Sequence, residues 1–192
     1  MTSPLWFSLI DVPDTPPADV LRAARPAGGA GSPWYENVAE GPHFLRVDAT
    51  EAESAGQESA LREAGLRPSF ERFEAEEIEQ TGPSKDAANG AVWTPYVYLV
   101  FFSVPEEDLD EFNAWYDQEH TPLLLKAPGW EYCRRFRLGG GRFNAVAVHH
   151  LTTLDALDSS ERAIARSTEW TGRLRSSRAW FGTSLHVVCQ SR

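Results

Sequence analysis

Several things are scarce in this 192-residue chain, and each scarcity removes a class of function. It has two cysteines, Cys133 and Cys189, too few for a disulfide framework, so a reducing cytoplasmic setting is expected. No apolar run approaches the ~20 residues of a membrane-spanning helix. The opening MTSPLWFSLIDVPDTPP has no basic stretch and carries an Asp within its apolar part, which argues against a secretory signal. Basic residues are in deficit: 18 Lys and Arg face 28 Asp and Glu, a net charge of −10. That balance disfavours nucleic acid and anionic membrane as partners, both of which select clustered positive charge.

Motifs that would name a chemistry are also missing. There is no Lys-Ser/Thr after a glycine loop for a phosphate. No His-x-His, His-Glu-x-x-His or Cys-x-x-Cys is present for zinc, so no metal is expected. No Gly-x-Ser-x-Gly elbow marks a serine hydrolase. Aromatic residues, in contrast, are plentiful, with 7 Trp, 10 Phe and 5 Tyr. Their distribution becomes the central question.

Two segments punctuate the chain. Arg25–Pro33 is a small-residue loop, a candidate lid, and residues 81–94 read as a linker between a half at 1–80 and a half at 95–192. In the second half, Pro95–Val104 is an uninterrupted aromatic and β-branched run, the mark of a strand buried on both faces. Ser103 and Glu106 stand in capping-box spacing before a helix expected to end near Glu119, because Pro122 follows. Trp130–Leu138 and Phe143–Leu151 form a hairpin about Gly139–Gly141. A helical stretch at 154–176, with an interruption near Gly172, and a strand at Trp180–Val188 complete the order βαββαβ, that of ferredoxin-like folds. The first half gives the same order in frayed form: strands at Leu5–Val12, within Glu36–Val47 and at Pro68–Glu79, and helices at Pro17–Ala24 and Thr50–Gly65. The expected fold class is therefore α+β, two ferredoxin-like halves.

The stretch FNAWYDQEHTP at Phe112–Pro122, with Pro128-Gly129 and then Arg134-Arg135, resembles the dimeric α/β-barrel superfamily, and within it EthD-like proteins and related polyketide cyclases and small monooxygenases. The resemblance spans roughly residues 95–190. It implies that two ferredoxin-like units pair their sheets, here within one chain as a pseudo-dimeric α/β barrel, so that the chain is a monomer or a homodimer. It also implies a pocket between each sheet and its helices, and a hydrophobic, aromatic or polyketide-like substrate handled without a cofactor.

The residues themselves offer candidates. At 100° per residue, Leu109, Phe112, Tyr116, His120 and Leu123 share an arc of about 80°. His120 then sits among apolar side chains, where an imidazole can act as general base or acid, with Tyr116 one turn earlier. Glu119 reads as a surface carboxylate. His149 and His150 are strand neighbours on opposite faces, which rules out a side-by-side metal pair and leaves His149 as the pocket residue. Tyr96, Tyr98, Tyr132, Arg134 and Ser184 are polar tips on apolar strands; Arg134 and Tyr116 are assigned to polarising oxygens, the others to binding. His43 is a further strand histidine placed near the substrate, while Phe112 and Trp115 are expected as walls. The expected reaction is cyclisation, dehydration or a related proton transfer. A cofactor-independent monooxygenase and a non-catalytic binder of a hydrophobic ligand or haem are the alternatives.

Overall fold

A computed structural model describes residues 4–24, 34–39, 42–82 and 94–192. The loop at Arg25–Pro33 and most of the linker at 81–94 fall outside the described residues, apart from Thr81, Gly82 and Thr94.

The first half runs β1 (Leu5–Asp11), α1 (Pro17–Ala24), β2 (Trp34–Asn37), β3 (Phe44–Asp48), α2 (Glu51–Glu63) and β4 (Ser69–Thr81). Local chemistry sets its boundaries. Thr50 caps α2 by accepting from the Glu53 amide, and Gly65, at φ +82°, turns the chain out at its far end. Ile10, Val12, Val20, Ala24, Trp34, Phe44 and Leu61 pack into one buried cluster. Trp34 therefore serves the core, edge-on to Phe44 at 5.7 Å between ring centroids.

The second half runs β5 (Tyr96–Phe102), a 3₁₀ turn at Glu106–Asp108, α3 (Leu109–Trp115), a π turn at Tyr116–His120 and α4 (Thr121–Leu124). It continues with β6 (Trp130–Gly139), β7 (Ala145–Leu151), a 3₁₀ turn at Leu154–Asp158, α5 (Ser160–Ser167), α6 (Glu169–Ser177), α7 (Ala179–Gly182) and β8 (Leu185–Ser191). The hydrogen-bonded strand order β1-β3-β2-β8-β5-β7-β6-β4 closes on itself as an eight-stranded barrel. Each half contributes the same order, β4-β1-β3-β2 and β8-β5-β7-β6, so the two ferredoxin-like halves expected from the sequence are present. By contact density the chain divides into one unit of Met1–Glu76, Leu138–Gly141 and Val187–Arg192, and a second of Glu77–Arg137 and Arg142–His186.

Four local expectations need correction. The helix does not stop before Pro122: the Thr121 amide reaches back five residues to the Tyr116 carbonyl, and this wide turn lets the proline enter the first turn of α4. The Ser103–Glu106 capping box does not start that helix, since no side chain caps the 3₁₀ turn or α3; Asn144 instead brackets the Val104 amide and carbonyl. The long helical stretch breaks at Thr168 rather than Gly172, because the Thr168 hydroxyl caps a new helix through the Thr171 amide. Trp180 lies in α7, not in the last strand.

One irregularity decides which side chains share a face. Opposite consecutive residues Leu151 and His150 of β7, strand β6 presents Trp130 and Tyr132, with Glu131 as the extra residue of a bulge. Two residues apart on a strand normally point the same way. Here Trp130 and Tyr132 point to opposite faces.

Candidate active site

A cavity of about 360 Å³ lies within the second unit, at the low end of small-molecule sites (~300–1,000 Å³). Its floor is one face of the sheet, where Tyr98, Val100 and Phe102 alternate along β5 beside Trp130 and His149. Helical residues cover it: Trp115, Tyr116, His120 and Leu124 from one segment, and Arg162, Arg166, Thr171, Arg175 and Phe181 from the other. Gly182, Ser184 and His186 complete the lining.

His120 enters through the π turn. The five-residue turn brings it back over Trp115, with ring centroids 4.2 Å apart and planes at 26°. In a regular α-helix those two positions would diverge by ~140°. Tyr116 stands edge-on at 5.3 Å. His120 is half-buried as a residue, and its Nδ1 is buried and has no hydrogen-bond partner. Burial lowers the His120 pKa to about 3, opposed by a hydrogen bond to the Ala165 carbonyl and reinforced by Arg166 and Arg162. With Nδ1 unpartnered, the bond to Ala165 is assigned to Nε2–H, which leaves a lone pair on Nδ1.

His149 is 1% exposed and stacks on Tyr98 at 5.5 Å. The Trp130 indole N–H donates to its Nδ1 at 3.3 Å, so in the neutral ring the proton sits on Nε2. That Nε2 is buried with no partner. Burial first, and then the nearby His120, His150, Arg162 and His186, hold His149 well below the usual histidine range. The site thus contains two neutral imidazoles of complementary character, one offering a lone pair and one a proton.

The remaining groups tie the walls together. The Trp115 indole donates to Thr171 Oγ1 at 3.1 Å, and Thr171 donates to the Ala165 carbonyl at 3.0 Å. Thr168 donates to Glu119 at 2.6 Å, so Glu119 anchors the covering helices rather than standing as a solvated carboxylate. At the rim, Tyr98 Oη lies 2.5 Å from His186 Nδ1, and Ser184 Oγ 2.9 Å from His186 Nε2. Burial raises the pKa of both Tyr98 and Tyr116, keeping them protonated and able to donate.

The structure brings His120, Tyr116, Trp115, Tyr98, His149 and Ser184 to one cavity. It places the other sequence candidates elsewhere. Arg134 points to the opposite face of the sheet, ion-paired through two bonds of 2.8 and 2.7 Å to Glu77. Tyr132 shares that face, stacked on His150 at 4.0 Å. The bulge at Glu131 is the cause, because it reverses the parity that Trp130 would otherwise share with them. The arginine on the cavity side is Arg135, held by Asn113 and Asp117, with its guanidinium 5.5 Å from the Tyr116 ring centre. Phe112 packs behind the wall among Phe102, Tyr116 and Trp180. Tyr96 is half-buried outside the lining, and His43 belongs to the first unit, 3.0 Å from Asp11. Sequence reasoning placed a helical stretch here but did not single out Arg162, Arg166 and Arg175. Among the described residues, no group of three His, Cys, Asp or Glu could hold a metal ion.

No family model matches the chain, and no curated protein does. Solved structures do. An anthrone oxidase-like protein aligns over 99% of this chain and 92% of its own, with a TM-score of 0.60 at 15% identity. A ferredoxin-fold protein related to antibiotic biosynthesis monooxygenases, from Listeria monocytogenes, aligns over 100% and 96%, with a TM-score of 0.53 at 11% identity. A heme-degrading enzyme from Listeria monocytogenes aligns over 98% and 99%, with a TM-score of 0.54 at 8% identity. Strand order and these alignments agree: the chain has a ferredoxin-like α/β-barrel fold, with both halves in one polypeptide.

Proposed function

We propose that this protein is an enzyme that removes a proton from an aromatic, polyketide-like small molecule, without an organic cofactor or metal, and so promotes its cyclisation or dehydration. The observation that carries the reading is a pair of buried nitrogens without hydrogen-bond partners, His120 Nδ1 and His149 Nε2, on two residues that line one aromatic-walled cavity. His120 Nδ1 accepts a proton from an activated carbon or hydroxyl of the substrate. The negative charge left on the conjugated oxygen takes a hydrogen bond from His149 Nε2–H, with the Tyr116 phenol as a further donor within the cavity. Trp115 and Trp130 flank the two imidazoles and favour a flat ring system.

The likeness to an anthrone oxidase-like protein supports a second reading with the same first step. There the carbanion meets dioxygen. An activated methylene becomes a carbonyl, one oxygen atom enters the product, and the other leaves as water.

Deuterium exchange at the methylene of an anthrone, followed by NMR under argon, isolates proton removal from every later step. Catalysed exchange that falls by ~10²-fold or more in His120→Gln is the expected result. Exchange at the uncatalysed rate, with a co-purified molecule retained unchanged, would turn the reading to a binder, and a Soret band in the purified protein to a haem protein. Stoichiometric oxygen uptake on admitting air selects the oxygenase.

A further inference from the structure

Among the arginines of α5, α6 and the residue that follows them, those facing the cavity differ from those facing away. Arg173 and Arg178 are ion-paired with Glu111 at 3.2 and 2.8 Å. Arg162, Arg166 and Arg175, which line the cavity, have no carboxylate partner among the described residues, although the chain carries ten more acids than bases. Two of them are nevertheless held in position. Arg162 donates to the Leu157 carbonyl and lies 5.6 Å from the Tyr98 ring centre. Arg175 donates to the Arg166 carbonyl at 3.0 Å and lies 5.8 Å from the Phe181 ring centre. Three guanidinium groups without counter-charge, two of them positioned, border a cavity whose far wall is aromatic and whose histidines are neutral.

We propose that the substrate is an aromatic acid: its ring system lies against the tryptophans while a carboxylate, or a group of equivalent charge, is bound at the mouth by Arg162, Arg166 and Arg175. This names the substrate class for the reading above and rests on this cavity being its site. Guanidinium groups suit the task because their planar donors match the two oxygens of a carboxylate. Such an anion would also act on the chemistry. Arg166 and Arg162 oppose protonation of His120, so a negative group seated on them lets the imidazole accept a proton more readily.

Two flat fluorescent probes that differ in one charge provide the test: anthracene-2-carboxylate and anthracene-2-carboxamide, titrated against the whole chain. The carboxylate should bind about tenfold or more tightly than the amide, and the preference should shrink as salt rises from about 20 to about 500 mM. Combined Arg162→Gln, Arg166→Gln and Arg175→Gln substitution should bring the two affinities within about threefold by weakening the carboxylate alone. Because Arg162 is half-buried, the double variant Arg166→Gln/Arg175→Gln at exposed positions is the control for folding, and should remove most of the preference. Equal affinities in the native protein, no binding of either probe, or a preference that survives the triple variant would overturn the proposal. The outcome is separable from proton removal: exchange on an uncharged anthrone can persist when charge preference fails, and charge preference can persist in His120→Gln.

Discussion

At the scale of single residues, burial sets the protonation of the two histidines and therefore what each can do. His120 has a folded-state pKa of about 3, so its base form is present from mildly acidic pH upward. The profile of kcat/KM should show no acid limb near 6.5, where a free imidazole would give one. A limb at that position would assign the base to another group. Residues on the far face of β6 and β7 should matter little to turnover. Tyr132→Phe is expected to leave activity within a few-fold, whereas His149→Phe, which removes the donor at Nε2, should lower it by ~10²-fold or more. His149 was legible in the sequence because strand alternation assigns it a face. Arg134 was not, because a one-residue bulge that leaves no compositional mark reverses that alternation.

At the scale of elements, two departures from regular helix shape the cavity. The π turn stacks His120 on Trp115, a pairing that an α-helical wheel separates, so the wheel found His120 and Tyr116 but missed the closer ring. Pro122 is the sequence signal for the turn. Its ring would meet the carbonyl of Gln118 in a regular helix, and widening the preceding turn relieves that conflict. Pro122→Ala is expected to let the turn tighten toward α geometry. The His120 ring resonances, shifted upfield by the Trp115 indole, should then move toward ordinary histidine values; unchanged shifts would mean that other packing holds the turn. The second departure is the break at Thr168. Thr168→Ala removes both the cap of α6 and the bond to Glu119, and should cost ~1–2 kcal/mol in urea unfolding, with Thr168→Ser retaining most of it. Arginines on amphipathic helices such as α5 are usually solvent-facing, which is why their part in the cavity could be seen only once the fold had assembled around it.

At the scale of the whole molecule, the fold is legible in the sequence where hydrophobic pattern alone decides: the buried run of β5, the glycine hairpin, and the repeated βαββαβ order. The aromatic excess resolves into distinct uses. Trp115 and Trp130 line the cavity, Trp34 fills the core of the first unit, and Trp180 packs on Phe112 while donating to Asp108; Trp93 lies outside the described residues. The same interior makes the fold sensitive to acid. His120 and His150 have folded-state pKa values of about 3, and His149 is also strongly lowered, in each case mainly by burial. Above about 6.5 the histidines are neutral in both folded and unfolded chains and add no pH dependence. Below it the unfolded chain binds protons that the folded chain refuses, so stability falls as pH drops toward 3, by up to ~1.4 kcal/mol per pH unit for each such group. The urea midpoint should therefore decline steeply from pH 6.5 to 4.5, and His150→Asn should flatten the slope. A pH-independent midpoint would contradict the buried neutral histidines.

The bulge at Glu131 acts as a parity switch in the chain, and it suggests how the ligand range of such a cavity could change by a route other than substitution. Deleting that single residue would restore regular alternation with Trp130 still opposite Leu151 and Tyr132 still opposite His150, so both side chains keep their faces and only the local bend and twist of the strand are lost. Loss or gain of one codon at this point is then a way to alter the bend of the floor beside His149 without exchanging any side chain that lines it.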